Sequence, residues 1–253
     1  SLKVILDPQN QSLWVEDTVT LPDSMLASPL NFSLNSNLRI SNNPRRLQVL
    51  ATDTAADDPG INNTGALAAA MTAYSISPSR RNSNQLVLIY SGTIFDTAEQ
   101  TSAEYAQSFA ESSGIISEQG VYLNKGSVWV ADFGSDLISF DVQVEFADSA
   151  SSWTAVSQGD RLGGNGWQSD QPMEEVYLIA ANFTEYSQQA DDVEVLAYLR
   201  TPDSDLATKY MDATGRYLAL YEPLLGEYPY SKFALIENFW ETGYGMPSFT
   251  LLG

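Results

Sequence analysis

The chain contains neither cysteine nor histidine in its 253 residues. Without cysteine there is no thiol nucleophile and no disulfide framework, which suits a bacterial periplasmic or cytoplasmic protein better than a small animal secreted domain. Without histidine there is no imidazole base and no Ser-His-Asp triad, and losing both residue types together removes nearly all zinc chemistry. Cations are scarce as well: 12 Lys and Arg stand against 32 Asp and Glu, a formal charge of −20. Nucleic acid is therefore excluded as a partner, because phosphate binding needs clustered cations. The acidic surplus reads as a solvated surface kept soluble by self-repulsion, with cation binding as the alternative. No run of eighteen apolar residues is present, so no membrane-spanning segment is expected. The opening SLKVILD reads as a strand rather than a signal peptide, and any export signal is expected to have been removed. A periplasmic or secreted location is favoured slightly over a cytoplasmic one.

Period-two alternation dominates the first two hundred residues. Leu13, Val15, Val19 and Leu21 fall on one face, as do Ile138, Phe140, Val142, Val144 and Phe146. Further strands are expected at 3–6, 30–34, 47–50, 67–76, 85–94, 127–133, 176–183 and 193–199, each β-branched or aromatic-rich and bounded by turn residues. Short strands without interleaved long helices point to a mainly β chain whose first 200 residues form an antiparallel sandwich or saddle. Residues 97–113, with Tyr105 and Phe109 four apart, are either a short surface helix or an ordered loop. Residues 42–46, 52–65 and 158–170 read as turn-rich loops. The last of these lacks the G-K-[ST] ending of a phosphate loop and is expected to be flexible.

The period changes at Thr201-Pro202, where a Thr cap followed by Pro opens an amphipathic helix expected to run from Pro202 to about Leu225. Leu206, Tyr210, Ala213, Tyr217, Leu220 and Leu224 recur at spacings of four and three, which places them on one face. Pro223 strains the last turn and Gly226 caps it. Two domains are therefore expected, 1–200 and 201–253.

Residues 231–253 read SKFALIENFWETGYGMPSFTLLG, a strand-like run leading into Gly243, Tyr244, Gly245, Met246, Pro247 and Ser248. Glycines at 243 and 245 permit close backbone approach by a ligand, and Tyr244 and Phe249 are candidate pocket walls. This segment resembles the substrate-binding strand of the gluzincin aminopeptidases, the family of membrane alanyl aminopeptidase and leukotriene hydrolase. LKVILDPQNQSLWVEDTVTL and LNFSLNSNLRI near the start are similar to that family's opening hairpin, YSGTIFD to its Y-x-G strand, and WTAVSQGDRLG to a later strand and turn.

The resemblance implies a saddle domain followed by the helix and edge strand of a thermolysin-like α+β catalytic domain, truncated before the H-E-x-x-H helix. It also implies a peptide substrate and a zinc ion in the full-length protein, held by two His and a Glu outside this chain, with a second Glu as general base. In the family's G-x-M-E-N motif the Glu holds the substrate's free amine. Alignment on Met246 puts Pro247 at that Glu and Ser248 at the Asn, so the amine anchor is missing here unless Glu237, Glu241 or Glu118 replaces it.

The chain is thus expected to be a non-catalytic N-terminal portion of a zinc peptidase, with no cofactor of its own and its catalytic C-terminal domain as partner. A scaffold module that keeps the architecture without the chemistry is the second reading. A sugar-binding sandwich using Trp129, Trp153 and Trp167 is the third. The acidic groups Asp53/Asp57/Asp58, Asp132/Asp136 and Asp191/Asp192 match no spaced calcium loop and read as solvated turns. Sequons at Asn10, Asn31, Asn62 and Asn182 matter only in a eukaryotic secretory pathway.

Overall fold

The computed structural model describes residues 1–26, 28–42, 44, 47–52, 69–77, 84–100, 110–134 and 137–253. Most of 97–113 and 52–65, residues 43, 45, 46, 67 and 68, and the positions Asp53, Asp57, Asp58, Asn62 and Asp136 lie outside them.

A seven-stranded sheet runs in the order Asp160–Gly163, Gly166–Met173, Ile138–Phe146, Leu2–Asp7, Ser12–Thr20, Gln85–Thr93 and Leu38–Ile40. Its neighbours are antiparallel except Leu2–Asp7 with Ile138–Phe146, a parallel pair inside the region expected to be purely antiparallel. Period two decides what is buried: Leu13 and Val15 point into the core, and Asp17, two residues on, shares their face at 4% exposure. Pairing aligns Leu88, Asp17, Leu2, Val142 and Trp167 as one buried row across five strands.

A four-stranded antiparallel sheet, Gly114–Ser117, Gly120–Leu123, Leu178–Ala181 and Thr154–Val156, joins the same core. Every residue of its first three strands is buried. Leu30–Asn35, Met71–Ile76 and Gln48–Thr52 form a three-stranded sheet whose Phe32 and Tyr74 rings stack at 5.2 Å.

Residues 127–133 are not a strand. Lys125–Ser127 is a 3-10 turn capped by the Asn124 side chain, which accepts from Ser127 N at 3.2 Å, and Val128 follows in the left-handed region at φ 47°. This wrapping carries Trp129 inside, where its Nε1 donates to Val176 O at 3.0 Å. Residues 158–170 are not a flexible loop either. Asp160–Gly163 pairs with Gly166–Met173, and Gly163 and Gly164 take the positive φ values of the turn. Gly159, at φ 80°, sits where a Cβ would fall 1.9 Å from the Gln168 carbonyl oxygen. Trp129 at 1% and Trp167 at 0% exposure are core residues, which removes the sugar platform.

A five-stranded mixed sheet follows in the order Thr184–Ala190, Val193–Leu199, Lys232–Glu237, Phe249–Leu252 and Gly243–Met246. It takes two strands from before Arg200 and three from after it. The helix Ser204–Leu225 is the crossover between the parallel strands Val193–Leu199 and Lys232–Glu237. Its cap is Asp203, not Thr201: the Asp203 carboxylate accepts from Asp205 N at 3.1 Å and Leu206 N at 2.9 Å. Gly226 ends it, donating to Glu222 O at 2.9 Å.

The buried stripe is rotated from the expected one. Ala207, Met211 and Thr214 are inside against Val195, Ala197 and Leu199, whereas Tyr217, Leu220 and Leu224 are 59%, 58% and 72% exposed. Small side chains on the sheet side let the helix approach closely, and this leaves the larger apolar residues outside.

Candidate functional site

The expected site residues lie at one border of the five-stranded sheet. Lys232–Glu237 pairs in parallel with Phe249–Leu252, which turns back through Pro247 and Ser248 onto the antiparallel Gly243–Met246. Among the described residues no strand pairs with the outer edge of Gly243–Met246. Gly243 and Gly245 are exposed, Tyr244 and Met246 half-buried, and a Cβ at Gly245 would meet nothing within 4 Å. A strand edge with no neighbour strand among the described residues is what an extended peptide can use.

A buried amine sets the turn. Ser248 is 2% exposed with φ 66°, a strained conformation for a non-glycine residue. Its Oγ accepts from Gly159 N at 3.1 Å and from Lys232 Nζ at 2.9 Å, and Lys232 Nζ also lies 3.4 Å from Ser248 O. Lys232 is 2% exposed, between the rings of Trp167 at 4.8 Å and Phe249 at 5.6 Å. Burial, seconded by the charge of Arg161, lowers its pKa to about 7, with Asp160 and Glu194 opposing.

The hairpin that supplies Gly159 grips the five-stranded sheet elsewhere too. Arg161 makes two 2.8 Å bonds to the Glu185 carboxylate and donates to the Tyr198 hydroxyl. Ser231 Oγ donates to Asp160.

Beside the edge strand stands an aromatic wall. Tyr244 stacks on Tyr122 at 6.3 Å, Trp240 meets Tyr122 edge-on at 5.1 Å, and Phe239 packs on Trp240 at 4.5 Å. Gly120 leaves room for Phe239, whose ring would lie 2.3 Å from a Cβ there. Sequence reading anticipated Tyr244 but not Tyr122, Phe239 or Trp240, because the contact joins segments more than a hundred residues apart. Phe249, the other expected pocket wall, is instead fully buried in the core.

Of the carboxylates considered as amine anchors, Glu237 is already used: its Oε2 accepts from Arg200 N at 2.7 Å. Glu118 and Glu241 are exposed. The Asn238 side-chain amide and Thr242 Oγ1, in the segment leading into the edge strand, are buried without hydrogen-bond partners among the described residues. The chain has neither the His nor the Cys that zinc sites favour, and among the described residues no three acidic side chains converge. No helix of the described residues is long and apolar enough to cross a membrane.

No protein-family model matches the chain, and no curated protein matches it in sequence. Solved structures do match in fold. An M1 zinc metallopeptidase from Deinococcus radiodurans, crystallised as a mutant bound to a Tyr-Ser-Ala substrate, is 15% identical with a TM-score of 0.64, covering 100% of this chain and 59% of that one. The crystal structure of that metallopeptidase without the mutation gives 14% identity and a TM-score of 0.61, over 100% of this chain and 58% of that one. An aminopeptidase N family protein from Idiomarina loihiensis gives 10% and 0.57, over 100% and 42%. The fold is thus that of the N-terminal region of M1, or gluzincin, aminopeptidases, and the chain spans 59% of the length of the first of these structures.

Proposed function

We propose that this chain is the N-terminal portion of an M1-type zinc metallopeptidase, inactive by itself, in which residues 243–248 border the peptide-binding cleft. The observation that carries this reading is the open edge of Gly243–Met246 within a fold that matches M1 peptidases over 100% of the chain. Peptide main chain adds to that edge by strand pairing, and the half-buried Trp240 and Tyr244, backed by the buried Tyr122, contact its side chains. The other partner is further polypeptide of the same protein. The exposed apolar helix residues Tyr217, Leu220, Leu224 and Leu225, and the unpaired Asn238 and Thr242, are groups that such polypeptide would cover and satisfy. The zinc ligands and the general base belong to that polypeptide and not to this chain.

The test is Gly245→Val in a longer protein that carries the catalytic part. A Cβ there meets nothing within 4 Å, so the fold tolerates valine while its branches obstruct an incoming strand. Turnover is expected to fall by about tenfold or more, with the thermal midpoint unchanged. Unchanged kinetics would remove residues 243–248 from the site.

A scaffold that keeps the architecture without the chemistry is the second reading, favoured by Pro247 at the family's amine-anchoring Glu. Coding sequence for H-E-x-x-H followed by a downstream Glu supports the peptidase, and its absence the scaffold.

A further inference from the structure

The alternation of Ser12–Thr20 carries one break: Leu13, Val15, Asp17, Val19 puts a carboxylate where the core face calls for an aliphatic side chain. Its cross-strand neighbours on that face, Leu2 and Leu88, are 3% and 0% exposed. Asp17 itself is 4% exposed, and its Oδ2 has no hydrogen-bond partner among the described residues. An unpaired buried carboxylate oxygen is costly, and such groups normally find a donor.

This one lines a cavity of about 620 Å³, a volume within the range of about 300–1,000 Å³ common to small-molecule sites. The walls include Leu21, Met25, Val130, Phe133, Ile138 and Phe140, and the cavity reaches the surface at Leu137, Ser139 and Asp170. Asp141 and Asp170 add negative charge, and no Lys or Arg is among the described lining residues. The one cationic group there, the Ser1 ammonium, donates to Thr18 O at 3.0 Å, and Ser1 Oγ donates to Asp141 Oδ1 at 2.7 Å.

We propose that this cavity binds an organic cation, with an ammonium head donating to Asp17 and an apolar body lying along Phe133 and Phe140. Depth, acidity and apolar walls select against the other ligand classes. An anion meets three carboxylates and a single cation, the Ser1 ammonium, already donating to Thr18 O, and a neutral apolar molecule leaves Asp17 unpaired. Bare metal cations find one buried carboxylate, and among the described residues no three acidic side chains converge to ring an ion. The cavity contains no residue of the Gly243–Met246 edge, so the inference stands apart from the peptidase reading.

Burial raises the Asp17 pKa to about 7, the Ser1 ammonium opposing. The other ionisable groups around it are Tyr90 on the neighbouring strand, itself pushed well above its usual pKa by burial and then by the Asp17 charge, and Asp141 and Asp170 on the far wall. A bound ammonium favours the ionised carboxylate, so affinity strengthens as pH rises through about 7 and Asp17 loses its proton.

The experiment is calorimetric titration of the 253-residue chain with 2-phenylethylammonium, alongside neutral 2-phenylethanol and anionic phenylacetate, at about one pH unit either side of 7. Saturable one-site binding of the ammonium compound is expected, weakened about tenfold in Asp17→Asn, at the lower pH and for the alcohol, with none for the anion. Should the asparagine variant fold poorly, Asp17→Leu, which suits Leu2 and Leu88, takes its place and loses binding in the same way. Absence of saturable binding, equal binding of the alcohol, or affinity surviving both substitutions overturns the proposal.

Discussion

Lys232 and Asp17 are the two charged side chains that the fold buries among the described residues, and they act on stability in opposite pH ranges. Lys232 has a folded pKa of about 7 against an ordinary 10.5. Below about 7 both folded and unfolded chains carry the proton, and the full burial penalty is present. Between about 7 and 10.5 only the unfolded chain holds it, so stability from this group rises with pH across that window. Asp17 has a folded pKa of about 7 against 3.8, so the folded chain holds the extra proton between those values and stability falls as pH rises through them.

Together these groups predict a stability minimum near neutrality. Lys232→Met flattens the alkaline limb and Asp17→Asn the acidic limb, each read from denaturant midpoints across pH. An unchanged alkaline limb in Lys232→Met would mean that Nζ is solvated rather than held against Ser248. Neither residue was singled out in the sequence: Asp17 falls in the gap of the run Leu13, Val15, Val19, Leu21, where a carboxylate ordinarily marks the solvent side. Lys232 opens a strand with nothing beside it to mark its burial, which comes from Trp167 and Phe249 closing over it.

The helix Ser204–Leu225 tests packing at the scale of an element. Met211 is inside and Leu220 outside, although a helical wheel alone favours the Leu220 face. Met211→Ala is expected to cost about 2–5 kcal/mol, Leu220→Ala no more than about 0.5 kcal/mol in this chain, and Asp203→Ala about 1 kcal/mol through loss of the cap. Chemical denaturation of the three variants checks the order, and a large loss in Leu220→Ala would reverse the assigned face.

The period-two strands were legible because a half-buried sheet face imposes alternation directly. The helix's existence and its Gly226 end were legible too, but not which face packs. Small residues, Ala207 and Thr214, fit the sheet and carry little hydrophobic signal. Residues 158–170 read as a loop because glycines and polar residues mask a hairpin whose two turns require those glycines. The strand-like run from Lys232 was legible but lies inside the sheet, and the edge is Gly243–Met246, whose glycines mask it as a turn; the aromatic wall beside it depends on contacts between distant segments.

At the scale of the whole molecule, the Asp160–Met173 hairpin region joins the seven-stranded sheet to the five-stranded one through Gly159 to Ser248, Ser231 to Asp160 and Arg161 to Glu185 and Tyr198. The proposed peptide edge is therefore held by the β-rich body rather than left as a free margin. That body carries neither His nor Cys, which is why the proposal assigns the zinc ligands to further polypeptide of the same protein.

The most direct test is metal analysis of the 253-residue chain after exhaustive dialysis, with an aminoacyl-anilide assay of the same sample beside a longer protein carrying the catalytic part. No stoichiometric zinc and no turnover are expected for this chain, and one zinc with turnover for the longer protein. One zinc per chain here, or hydrolysis that persists through purification to homogeneity, would contradict it.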